Sequence, residues 1–305
     1  MDSERLKRIE AWMARSRTGG RYTGSSLLVY RGGQEVFFHA DGLASVAREM
    51  PYARDTIVRI YSMTKLVTST LLMMYVERGE AVLDAPLSAY LPEFSNLTAL
   101  RDGATDISDC EPARCPTLHE LLTHTSGMTY DFNEGPVPQL YAETVRKHGL
   151  HGRALAPWCE ELATLPLSFQ PGARWEYSVG IDVIGRVIEV IAGKPLDVVM
   201  QDEIFAPLGM GDTSFEIADS KLERFADCYH KTDDEALALL ETAENSRYCK
   251  GKVKLHSGGG GLLSTLDDYM RFGEMFRRGG AIDGIRLLSP NTVAFMRDNH
   301  LPGDI

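Results

Sequence analysis

The stretch "IYSMTKLVTSTLLMMYVERGE", Ile60–Glu80, decides how this chain is read. It is apolar on all sides except at its start, which predicts a buried helix beginning at Ser62 and stopped by Gly79. Lys65 stands one turn past Ser62, so the two side chains share a helix face. An ammonium at the mouth of a buried helix is costly unless something pairs or uses it. A serine hydroxyl, in turn, is a poor nucleophile until a base takes its proton or a cation favours the alkoxide. A desolvated lysine can serve as that base, and the positive end of the helix favours negative charge on Ser62. The pair alone carries little weight. A Ser three residues before a Lys occurs by chance about once in a chain this long, and for the pair alone an N-cap serine with a snorkelling lysine is the favoured account.

Around this helix the chain is ordinary globular material: 305 residues, 44% hydrophobic and 25% charged. That composition excludes disordered and fibrous classes. A net charge of -11 without a long Lys/Arg run argues against nucleic acid and anionic membrane surfaces. No apolar run approaches the roughly 18 residues of a membrane span. The first twenty residues are charged at nearly every helical turn, so no secretory leader is read and a cytoplasmic location is expected. Five cysteines in no C-x-x-C spacing read as free thiols, with Cys110 and Cys115 the pair to check.

Upstream, Leu6–Ala14 has helical spacing, and "SSLLVYRGGQEVFFHADG" predicts two strands about Gly32-Gly33. "TIVRIYS" reads as a short strand entering the helix. Between Leu87 and Glu244 the pattern is mainly helical, with two apolar helices split at Gly193–Pro195. "GGGGLLSTLDDYMRFGEMFRRGG" is a glycine turn followed by an amphipathic helix. The expected organisation is α/β plus all-α: residues 1–85 with 250–305 form an α/β lobe, and residues 86–249 form a mainly helical lobe.

Two further stretches bear on the Ser62–Lys65 pair. "FQPGARWEYSVG", Phe169–Gly180, is a Pro-Gly turn that brings Trp175 and Tyr177 to the start of an apolar helix. A tyrosine near Lys65 can act as a second general base. "LLTHTSGM", Leu121–Met128, superficially resembles a zinc-peptidase motif, but His119 and His124 are five residues apart and diverge by roughly 140° on a helix. No metal is expected, there is no G-x-S-x-G elbow, and Gly258–Gly261 lacks the Lys-Ser/Thr of a P-loop, so that run reads as close backbone packing.

Taken together, "SMTK", "LLTHTSGM", "FQPGARWEYS", "IFAPLGMGDTSF" and "GGGGLLSTLDDYMRF" resemble, in order and over nearly the whole chain, the serine β-lactamase and penicillin-binding-protein-like superfamily. The likeness is greatest to its family VIII carboxylesterases. The resemblance implies a β-lactamase-like antiparallel sheet flanked by helices with an inserted helical lobe, and a cofactor-free serine acyl transferase or hydrolase. Ser62 matches the nucleophile and one backbone oxyanion donor, Lys65 the activating lysine, and Tyr177 the tyrosine of a Y-x-N motif. Trp175 and Val179 fall at substrate-binding positions. Val179 replaces the motif's asparagine, which favours small short-acyl esters over β-lactam amides. The family's C-terminal strands and third motif are missing before Ile305, "HSG" at His256–Gly258 being a decoy. Weak activity of the chain alone, and an exposed sheet edge open to homo-oligomer formation, are therefore expected. The alternatives are a β-lactamase or D-Ala-D-Ala peptidase-like enzyme, and a non-catalytic binding or scaffold protein that retains the fold.

Overall fold

The computed structural model describes residues 3–148, 152–301 and 303. In chain order its elements are α1 (Ser3–Thr18), β1 (Gly24–Arg31), β2 (Gln34–Ser45), β3 (Met50–Pro51), β4 (Val58–Arg59), α2 (Thr64–Glu77), β5 (Thr98–Leu100) and β6 (Cys110–Pro112). There follow α3 (Leu118–Leu122), α4 (Pro136–His148), α5 (Leu155–Leu162), α6 (Gly180–Ala192), α7 (Leu196–Met200) and α8 (Ala206–Leu208). The chain then runs through β7 (Cys228–Lys231), β8 (Leu237–Glu241), β9 (Leu263–Ser264), α9 (Leu266–Arg277), β10 (Ala281–Ile282), β11 (Ile285–Arg286) and α10 (Pro290–Phe295). Every sheet is small and antiparallel.

Close contacts group the chain into two units. The first comprises Met1–Arg59, Gly209–Val253 and Leu263–Glu274. Its β1–β2 hairpin closes through Gly32 and Gly33, both at positive φ, as a two-residue turn between twisted strands requires. The hairpin extends to β3, and α1 packs beside β2. The expected strand at Thr56–Ser62 contracts to β4, paired with β9. Ile57, Ile217, Phe225, Ala243, Tyr248 and Leu263 form a buried cluster here. Arg59 enters that cluster with its guanidinium 4.2 Å from the Phe225 ring centroid and paired to Glu241, so its charge is compensated where it is desolvated.

The second unit comprises Ile60–Leu208, Lys254–Leu262 and Met275–Ile305. In it α2 packs on α6, and α3 and α5 pack on α6 in turn. The all-round apolar α2 buries Val67, Leu71, Leu72, Met73 and Met74, as a helix without a polar face must. It begins two residues later than the sequence suggests, because Tyr61–Met63 form a 3₁₀ turn, and it runs out at Gly79, φ 73°. α6 buries Ile181, Val183, Ile184, Val187 and Ile188 and ends at Gly193 in the left-handed conformation. Besides helices, residues 86–249 hold the hairpins β5–β6 and β7–β8, which hydrophobic periodicity does not announce. All five cysteines are free thiols. Among the described residues no helix is long and apolar enough to cross a membrane.

Candidate active site

Ser62 sits on the 3₁₀ turn at the mouth of α2, where its side chain is exposed. Tyr61 just before it has φ 44°, a conformation a bulky side chain adopts only when its surroundings enforce it. The Ile60 N–H donates to the Leu262 carbonyl at 3.0 Å and so anchors the turn from behind.

Lys65, on the first turn of α2, has three N–H donors and three acceptors within reach. Nζ lies 2.7 Å from the Gly259 carbonyl, 3.0 Å from Tyr130 Oη and 3.5 Å from Ser62 Oγ. It also sits 4.6 Å from the centroid of the Tyr177 ring and 5.3 Å from that of Tyr130, where the aromatic faces attract a cation. Tyr177 Oη donates to Ser62 Oγ at 2.7 Å. The structure thus brings Ser62, Lys65 and Tyr177 into one cluster.

Tyr177 is held by its backbone. Gly172 N–H donates to the Thr125 carbonyl at 2.7 Å, Glu176 N–H to the His124 carbonyl at 2.9 Å, and Asn133 Nδ2 to the Tyr177 carbonyl at 2.9 Å. The His124 ring packs on the Tyr177 ring with centroids 4.9 Å apart, and its Nδ1 accepts from the Ser178 N–H at 3.3 Å. Burial above all, and the charge of Lys65 after it, push the His124 imidazole down to about 4, so it is neutral at pH 7. Trp175, half exposed, stacks on Tyr177 with centroids 6.4 Å apart and meets the His124 ring edge-on at 6.1 Å. Val179 is 5% exposed and forms the N-cap of α6, its N–H donating to the Thr129 carbonyl at 3.3 Å. It therefore offers no polar side-chain atom and very little surface.

Sequence reasoning missed three contributors. Tyr130 accepts from Lys65; burial, then the Asp182 charge, drive its proton affinity far above that of an ordinary phenol, so it stays protonated. Asp182, in the first turn of α6, accepts from Ser257 Oγ and from Gly259 N–H at 3.0 Å. Burial raises its proton affinity, and those two donors pull it back. Phe132, two-thirds exposed, stacks on Tyr130 with centroids 4.8 Å apart. The one signal in the sequence was an acid on the apolar face of "VGIDVIGRVIEVI".

The glycine run does pack closely, as its sequence suggests. A Cβ on Gly259 would stand 2.3 Å from Asp182 Oδ2, and one on Gly258 would stand 2.8 Å from the Ile181 carbonyl. His256–Gly258 belong to this turn against α2, where Thr68 Oγ1 donates to the Gly258 carbonyl at 2.7 Å. A cavity of about 800 Å³ in the same unit is lined by Arg101, Glu134, Phe169 and Arg174, and by none of Ser62, Lys65 or Tyr177.

Ser62 is thus touched by both a lysine and a tyrosine on a turn before a buried helix. The beta-lactamase family model matches residues 9–304. The chain belongs to the beta-lactamase family. Esterase EstB of Burkholderia gladioli is 33% identical over 285 residues, covering 88% of this chain and 69% of EstB. Protein Rv1367c of Mycobacterium tuberculosis is 35% identical over 284 residues, covering 92% of this chain and 69% of that protein. Among solved structures, EstCE1, described as a hydrolase with promiscuous acyltransferase activity, superposes with a TM-score of 0.80 at 28% identity, covering 96% of this chain and 76% of its own. The fold is beta-lactamase-like, mixed α and β, and the relatives of this family include esterases, hydrolases and acyltransferases, as the motif resemblance implies.

Proposed function

We propose that this chain is a serine carboxylesterase that cleaves small, short-acyl esters through an acyl-enzyme on Ser62. The observation that carries the reading is the double contact on Ser62 Oγ, with Tyr177 Oη at 2.7 Å and Lys65 Nζ at 3.5 Å, on an exposed turn. In its reactive form the Tyr177–Lys65 pair is one proton short, and it takes the proton of Ser62 as Oγ bonds to the ester carbonyl carbon. The two bases titrate together, so the proton belongs to the pair rather than to either residue. The Ser62 backbone N–H is one donor to the developing oxyanion. Collapse breaks the carbon–alkoxide bond, and the pair returns the proton to the leaving alcohol. Water then repeats the cycle on the acyl-enzyme, releasing the acid and restoring Ser62.

Val179 supports esters over β-lactams, because it has no carboxamide to bond a β-lactam's amide. The esterase EstB and the hydrolase EstCE1 support the same reaction class. The test is hydrolysis of p-nitrophenyl acetate and butyrate by the purified chain, with fluorophosphonate labelling located by peptide mass. Both are expected in the parent and absent in Ser62→Ala; hydrolysis that survives Ser62→Ala unchanged removes the proposal. Faster turnover of a chromogenic cephalosporin than of either ester would move the assignment to a β-lactamase.

A further inference from the structure

Acyl transfer needs a nucleophile and a base; it does not by itself need a carboxylate buried behind the base. Asp182 is 4% exposed and lies between Ile181 and Val183, which are 2% and 0% exposed. An ionised group in such surroundings is costly unless its lone pairs are filled. Here two donors do so: Ser257 Oγ and Gly259 N–H both donate to Oδ1, while the buried Tyr130 phenol feels the charge of the same carboxylate and stays protonated. Gly259 and Tyr130 are also the near acceptors of Lys65, through the Gly259 carbonyl at 2.7 Å and Tyr130 Oη at 3.0 Å. The contacts run from Asp182 through the Gly259 peptide to Lys65, with Tyr130 accepting from Lys65 beside them. Gly259 is built for it, since any Cβ there would strike Asp182.

Resting on the assignment of Ser62 as nucleophile, we propose that Asp182 is a positioning residue for Lys65. By fixing Gly259, with Tyr130 as the other near acceptor, it directs two Nζ N–H bonds away from the serine and leaves the third Nζ position, a lone pair in the neutral amine, for Ser62 Oγ. Neither near acceptor competes for the proton, because a peptide carbonyl and a phenol that stays protonated are both poor bases. Ser62 is then the partner on which proton exchange with Lys65 takes place. Without that support of Gly259, Nζ turns freely among its acceptors, and a displacement of about 1 Å at a reacting group is worth up to about 100-fold in rate.

Asp182→Asn tests this. With its carboxamide oxygen at the Oδ1 position, asparagine retains the Ser257 and Gly259 bonds and replaces the other oxygen with an NH₂ that holds no negative charge and accepts nothing. The expected result on p-nitrophenyl butyrate is a fall in kcat of about 10- to 100-fold with KM within about threefold. Ser62 labelling by a fluorophosphonate should slow in parallel while the melting temperature stays near that of the parent. Should Asp182→Asn not fold, Ser257→Ala removes one of the two donors that hold the Asp182 carboxylate against Gly259 and is expected to lower kcat at constant KM. A folded variant with parental kcat, or one whose loss lies wholly in KM, overturns the role of Asp182 and leaves the nucleophile assignment standing. A parent whose Ser62 is not labelled, or whose activity survives Ser62→Ala, fails the nucleophile assignment instead.

Discussion

His124 makes the stability of this protein depend on pH in a calculable way. Its ring is buried against Tyr177 and Trp175 and accepts from the Ser178 N–H, so the fold holds it neutral, with its pKa lowered from 6.5 to about 4. The unfolded chain binds a proton at this site before the folded chain does. The stabilisation is therefore complete above the unfolded value of 6.5 and is lost as pH falls from there toward 4. From those two values the loss is small at pH 7, about 2 kcal/mol at pH 5 and about 3 kcal/mol at pH 4. Asp182, whose folded-state affinity for protons is raised, works in the opposite sense, so the contribution of His124 must be read as a difference. His124→Asn provides it: asparagine tolerates the left-handed φ of 59° at this position and does not titrate. Urea unfolding of parent and variant at pH 7, 6, 5 and 4 should show the variant less stable at pH 7, through lost ring packing, and the gap narrowing or reversing by about 3 kcal/mol at pH 4. A gap that stays constant over this range would refute the buried neutral imidazole.

Two other substitutions separate chemistry from packing in the same cluster. Tyr177→Phe removes the hydroxyl 2.7 Å from Ser62 but retains the ring against His124 and Trp175, so kcat/KM on p-nitrophenyl butyrate should drop about 10²- to 10⁴-fold with little change in melting temperature. Gly259→Ala forces a methyl against Asp182 Oδ2 and must move the backbone, so urea unfolding should show a loss of about 1–3 kcal/mol, accompanied by slower labelling of Ser62.

What the sequence showed of this molecule follows from which interactions are local. The β1–β2 hairpin is legible because Gly32-Gly33 is a turn signal with strand alternation on both sides, and α2 and α6 because their apolar residues extend over three or more turns. The β5–β6 pair is not: three residues on each side, Thr98–Leu100 and Cys110–Pro112, are too few to show a period, and their pairing is set by partners elsewhere in the fold. The 3₁₀ turn at Tyr61–Met63 was hidden for a related reason, since nothing in the composition of "IYSMTK" signals the positive φ of Tyr61.

The candidate site divides along the same line. Ser62 and Lys65 are three residues apart, and Tyr177 follows a Pro-Gly turn, so each can be picked out by local spacing. Tyr130 and Asp182 have meaning only through Lys65, which is 65 residues from the first and far from the second, and through a glycine turn further on still. The lone acid in α6 was visible as a departure from the apolar pattern, and such departures mark where a fold accepts a cost for a purpose. Lys65 raised that question at the mouth of α2, and Asp182 raises it again within α6. The glycine turn lets one answer serve both: the buried carboxylate is tolerable because Ser257 and Gly259 donate to it, and Gly259, once fixed, joins Tyr130 in holding Lys65 beside Ser62.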